Sequence, residues 1–71
     1  APSLININTA DSHALAKSMK GIGVKRAEAI VHYRETHGVF KSVDELAEVP
    51  GIGKRFVNNH QDEIHRIFSV Q

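Results

Sequence analysis

The pattern that most limits the fold is a three-residue step found twice, Gly21-Ile22-Gly23 and Gly51-Ile52-Gly53, the second thirty residues after the first. Glycine has no Cβ and reaches positive φ without strain, so two glycines around one apolar residue allow a sharp turn and a close approach of backbone amides to another molecule. The isoleucine between them is free to point inward as a core anchor. Each step is followed by a basic pair, Lys25-Arg26 and Lys54-Arg55, at the start of a segment that reads as a helix. Cations at a helix N-terminus oppose the macrodipole and make poor sense as stabilisation alone. A bound anion reconciles them, because free N–H groups at a turn and a helix start, flanked by Lys or Arg, form an anion site.

Taken in order, residues 1–8 form an extended lead-in: Leu4, Ile5 and Ile7 are not at helical spacing, and Pro2 discourages an early helix. Asn8, Thr9 and Asp11 are all candidate N-caps, and Asp11 best suits a first helix through Ala14, Leu15, Ser18 and Met19. After the first turn, Val24, Ala27, Ile30, Val31 and Arg34 give a second helix an apolar stripe to about Thr36, with Gly38 as its stop. Phe40 anchors a short connector. Ser42-Val43-Asp44-Glu45 reads as a capping box opening a short helix that buries Val43, Leu46 and Val49 and is halted by Pro50. Phe56 and Val57 face inward on the next helix, which Asn58, Asn59 and His60 interrupt, and Ile64, Ile67 and Phe68 supply a last apolar face.

One supersecondary unit is therefore used twice. The expectation is a single all-α domain over 1–71, of four to five short helices: a first unit over about 11–36, a connector at 37–41, a second unit over about 42–60 and a C-terminal helix over about 61–69. Neither unit carries enough apolar surface to stand alone. The two should pack about a pseudo-two-fold axis with both turns on one face. At 71 residues the chain buries only about 60% of the surface it exposes when unfolded, so its stability margin is modest.

Net charge is only +1, but its distribution is polarised. No acid occurs from Ser12 to Ala27, where Lys17, Lys20, Lys25 and Arg26 lie, and none from Gly53 to Gln61, where Lys54 and Arg55 lie; Asp44, Glu45 and Glu48 cluster before the second turn. Absence of cysteine excludes disulfides and thiolate metal sites. His32 and His37 stand five apart, as do His60 and His65, so neither pair has the i, i+4 spacing that chelates zinc on one helix face, and no metal or cofactor is expected. No serine–histidine or paired-carboxylate motif points to an enzyme. No apolar run approaches the ~18 residues of a membrane span. The chain begins Ala1-Pro2-Ser3 without Met, which fits a processed N-terminus or a trimmed piece.

With both turns placed, Ile5-Asn6-Ile7-Asn8-Thr9-Ala10, Gly21-Ile22-Gly23 with Ala27, Tyr33-Arg34-Glu35, Gly38-Val39-Phe40-Lys41-Ser42-Val43, Asp44-Glu45-Leu46 and Val49-Pro50-Gly51-Ile52-Gly53 together resemble the tandem helix-hairpin-helix domain of the ComEA family of bacterial competence proteins, over roughly residues 5–64. The sequence departs from the family pattern at Met19-Lys20, where Leu-Pro is usual, at Val57, where a small residue is usual, and at His60, which falls where the first unit has Ile30. The resemblance implies sequence-independent binding of double-stranded DNA through its backbone phosphates, as a DNA receptor in natural transformation at a periplasmic or cell-surface location, alongside other DNA-uptake proteins. By that implication the contacts fall on Lys20, Gly21, Ile22, Gly23, Lys25 and Arg26 in the first unit and Gly51, Ile52, Gly53, Lys54 and Arg55 in the second. Protonation of all five histidines would raise the formal charge from +1 to +6, so affinity for DNA should rise in acid. Two other readings share these residues: a cytoplasmic accessory domain of a DNA-repair nuclease, and a protein-interaction module in which the paired hairpins mediate dimerisation.

Overall fold

Asp11 starts the first helix by accepting a 2.8 Å hydrogen bond from the Ala14 N–H on its Oδ1, which satisfies one of the orphan donors of a helix N-terminus. The computed structural model describes residues 4–19 and 21–70, and Lys20 lies outside them. In order the elements are β1 (Ile5–Asn6), α1 (Ser12–Ser18), α2 (Gly23–His37), a 3₁₀ helix (Val43–Glu48), α3 (Gly53–Asn59), α4 (Gln61–Ile67) and β2 (Phe68–Ser69). The fold is mostly helical, with the expected helix-hairpin-helix arrangement used twice. Gly38, at φ 91°, ends α2 and donates its N–H to Arg34 O at 3.1 Å.

The segment after the connector differs from the capped α-helix that Ser42 and Glu45 predict. It is a 3₁₀ helix, the Ser42 side chain makes no capping bond, and the Glu45 carboxylate reaches the Lys41 N–H at 3.0 Å, one residue before the cap position. The reason lies in the apolar spacing. Val43, Leu46 and Val49 are each three residues apart and all buried, and a helix of 3.0 residues per turn puts all three on one face.

The two turns repeat each other closely. Gly21 and Gly51 have φ of 96° and 95°, and Gly23 and Gly53 have φ of 64° and 77°. Among the described residues no non-glycine residue has positive φ. Ile22 and Ile52 are 2% and 7% exposed, so each turn is nailed to the core by the side chain at its tip. Around them pack Leu15, Ala27, Ile30, Leu46, Val57 and Ile64. α2 and α3 begin at the second glycine of each turn.

The ends of the chain close on one another, which the sequence does not foretell. β1 pairs in parallel with β2, Ile5 opposite Phe68 and Asn6 opposite Ser69, so the last helix stops at Ile67 rather than near residue 69. The Asn8 side chain locks this closure. Its Oδ1 accepts from the Phe40 N–H at 2.6 Å, while its Nδ2 donates to Phe40 O at 3.0 Å and Val70 O at 3.3 Å. Arg34 Nη1 donates to Ile7 O at 2.8 Å, and Asn6 Oδ1 accepts from the Asn8 N–H at 2.9 Å. The opening motif is thus a clasp that joins lead-in, connector and C-terminus.

Asn8→Ala leaves the Phe40 amide and two carbonyls without their partner and should cost about 2 kcal/mol, lowering the thermal midpoint by roughly 8–16 °C for a chain of this size; an unchanged melting curve would refute the clasp. At Gly51 an added Cβ meets nothing within 4 Å, so the cost of Gly51→Ala is purely conformational. L-alanine there should destabilise by about 1–2 kcal/mol, as read from denaturant midpoints.

Candidate functional site

The two turns lie side by side, and the residues that join them are pseudo-symmetry mates. Position 26 in the first unit corresponds to position 56 in the second, thirty residues on, as Gly21 corresponds to Gly51. Arg26 crosses to the second turn and donates from Nε to Gly51 O at 2.9 Å; its Nη1 donates to Gly21 O at 2.6 Å. Phe56 reaches the other way: a Cβ on Gly21 would meet its Cε2 at 3.4 Å. The two mates meet at the middle, with the Arg26 guanidinium carbon 4.8 Å from the centroid of the Phe56 ring. Phe56 also packs against His60, with ring centroids 4.5 Å apart.

Helical geometry explains why Arg26 behaves this way. Side chains in a helix lean toward its N-terminus, so a long residue in the second half of the first turn of α2 is aimed back over the turn it has just left. The carbonyls there supply the negative partner that the macrodipole denies to a cation at a helix start.

The other cations are differently placed. Lys25, Lys54 and Arg55 are exposed, and among the described residues the carboxylates in close contact with a basic side chain are Glu63 with the His60 ring at 3.3 Å and Asp44 with the His65 ring at 3.0 Å, neither of which involves them. α2 has no side-chain cap and no acid in its first turn, and the same holds for α3. Their opening N–H groups thus receive no side-chain cap and stand beside positive charge that no described carboxylate opposes, and the Gly53 N–H donates to Val49 O at 3.3 Å. Ile22 and Ile52 have buried side chains, and their N–H groups donate within the turns, to Met19 O at 3.4 Å and to Val49 O at 3.0 Å.

Between the start of α2 and the second turn is an open cleft of about 540 Å³, lined by residues 22–26, Ala29, Pro50 and Gly51. Val24 stands on its rim, 63% exposed, rather than in the core as the apolar spacing of α2 predicts. The stripe holds only from Ala27 onward, because the helix start is lifted off the core by the turn that precedes it. Of the sequence-expected contact residues, the structure brings Gly21, Gly23, Lys25, Arg26, Gly51, Gly53, Lys54 and Arg55 into the two adjoining turns and helix starts.

Sequence reasoning missed the pairing of Arg26 with Phe56 and took Phe56 as a core residue; it is half-buried. A signal was available. The thirty-residue offset aligns a cation with a ring at the position nearest the pseudo-axis, where unlike mates can touch each other.

Comparison with known proteins agrees with this layout. The family model described as a helix-hairpin-helix motif matches residues 2–65. An uncharacterised protein of Haemophilus influenzae is 52% identical over 60 residues, covering 84% of this chain and 54% of that protein. ComE operon protein 1 of Bacillus subtilis is 42% identical over 52 residues, 73% of this chain and 25% of that protein. The endonuclease/exonuclease/phosphatase family domain-containing protein 1 of Rattus norvegicus is 38% identical over 65 residues, 92% of this chain but 11% of that protein. The chain thus spans about half the length of the first of these relatives and a quarter or less of the other two. With a family model over nearly its whole length and two turns of matching geometry, this chain belongs to the helix-hairpin-helix family, as a ComEA-like domain.

Proposed function

We propose that this domain binds double-stranded DNA without sequence preference, through backbone phosphates, and serves as the DNA-receiving part of a protein of DNA uptake. The observation that supports it most is the joining of two glycine turns on one face, each leading into an uncapped helix start flanked by Lys25 or by Lys54 and Arg55, none of them neutralised by a described carboxylate. Phosphate contacts of this kind position a duplex but carry no base information. Affinity then comes from counterion release, and a module of this size should bind at roughly 10⁻⁴ to 10⁻⁶ M at physiological salt.

The role in DNA uptake draws on the likeness to the ComEA family and to ComE operon protein 1. It carries with it a place outside the cytoplasmic membrane, in the periplasm or at the cell surface. Among the described residues no helix is long and apolar enough to cross a membrane. The likeness to the endonuclease/exonuclease/phosphatase family protein favours a second reading, a DNA-binding accessory domain in a larger nuclease. Fractionation of cells making the complete protein separates the two: periplasmic or surface material fits uptake, and cytoplasmic material fits the accessory domain.

The binding itself is tested by salt titration on random-sequence duplex. Lys25→Ala, Lys54→Ala and Arg55→Ala should each weaken binding equally for all sequences and lower the slope of log K against log salt by about 0.9. The triple variant Lys25→Glu, Lys54→Glu, Arg55→Glu should abolish binding while keeping its helical circular dichroism. Undiminished binding by that variant would refute the proposal.

A further inference from the structure

The Arg26 side chain stands apart from the other cations of the face. Its Nε and Nη1 are given to the first-glycine carbonyls of both turns, at 2.9 Å and 2.6 Å, and its face lies over Phe56. Those two carbonyl oxygens point toward a common place between the turns. Left alone they would set two partial negative charges beside the exposed cations of the two helix starts. A guanidinium is the one side chain that can answer both at once, since its N–H donors are held in a rigid planar fork. Lysine carries the same charge, but its donors sit on a single nitrogen, without the planar fork or the flat face that stacks on a ring.

No other described contact joins the turns to each other through side-chain polar atoms: the remaining long-range side-chain hydrogen bonds, from Asn8, Arg34 and His65, sit at the chain closure or between α4 and the 3₁₀ helix. We infer that Arg26, seated on Phe56, is a positioning residue that fixes the spacing of the two hairpins and masks their carbonyls, so that Lys25 on one side and Lys54 and Arg55 on the other meet one DNA backbone together, and that it is not itself a phosphate ligand. The role in DNA binding rests on the function proposed above; the fixed spacing of the turns does not.

The free protein tests the spacing. The chain has no cysteine, so spin labels on Val24→Cys and Lys54→Cys, exposed mates at the two helix starts, report one distance between the units. That distance should be narrowly distributed in the parent and broadened by either Arg26→Lys or Phe56→Leu, with circular dichroism unchanged. Without labels, the same two substitutions should weaken binding of random-sequence duplex by about three- to tenfold, as expected when the stacking or the forked hydrogen bonds of the guanidinium are lost while the charge is kept, and leave the salt slope at the parent value. Lys25→Ala should do the reverse, lowering the slope and leaving the distance distribution narrow.

A distribution that stays narrow in both Arg26→Lys and Phe56→Leu overturns the inference. So does parental affinity in Arg26→Lys combined with a slope lost in Arg26→Ala, the signature of a plain phosphate contact. If the parent fails to bind duplex at low salt, the function proposed above is refuted, and the label distances still decide whether Arg26 and Phe56 hold the turns.

Discussion

Burial of Ile22 and Ile52 between pairs of positive-φ glycines is the constraint on which the molecule turns. A backbone that reverses within three residues would ordinarily be mobile, because glycine has the most conformational freedom to lose. Here the side chain at each tip is sunk in the core, and burying an isoleucine contributes about 1.5–3 kcal/mol. That gain holds each turn in one conformation, with its first glycine exposed. The two sets of φ values agree closely because both turns meet the same demand: an inward isoleucine, a backbone at the surface, and a helix that begins at the next residue.

A chain of 71 residues has little core to spend on this. It recovers cohesion by tying its two ends together. The short parallel pairing of β1 with β2 would be negligible as a sheet, and its value is that it brings Ile7, Phe40 and Phe68 into one buried group with the Asn8 amide satisfied at its edge. Tyr33 continues the layer outward, stacked on Phe40 and His37 with centroids 5.2 Å and 4.3 Å away. The closure lies on the opening segment, the connector and the C-terminus, so the helix starts that follow the turns are left free of it.

The turns, their buried isoleucines, the Asp11 cap, the Gly38 stop and the order of helices were legible in the sequence, because each depends on residues near one another in the chain. What was not legible depends on partners far away. The 3₁₀ helix hid behind a capping-box pattern because the local signal of Ser42 and Glu45 is overridden by the three-residue apolar spacing of Val43, Leu46 and Val49. The terminal strands hid because two residues paired with two others leave no periodicity. Asn8 resembled a cap, since an amide that binds Phe40 across thirty-two positions looks locally like one that binds its own helix. Val24 fitted the stripe of α2 by count, yet the turn before it raises that end of the helix toward solvent.

The two units are not equal. α2 runs fifteen residues and α3 only seven, so the N-terminal dipole of α2 is the more fully developed. Yet once Arg26 is committed to the carbonyls, Lys25 is the one free cation left among the described residues at the start of α2, whereas Lys54 and Arg55 both remain free at the start of α3. The weaker dipole is thus accompanied by the greater side-chain charge. His60 adds to the asymmetry: where the first unit buries Ile30 and continues its helix, the second places a half-buried imidazole against Phe56 and breaks between α3 and α4. Two turns of nearly the same backbone shape therefore carry different mixtures of dipole and full charge. Positive charge is thus spread over both sides of the joined turns, although the two sequences that build them share little beyond glycine, isoleucine and glycine.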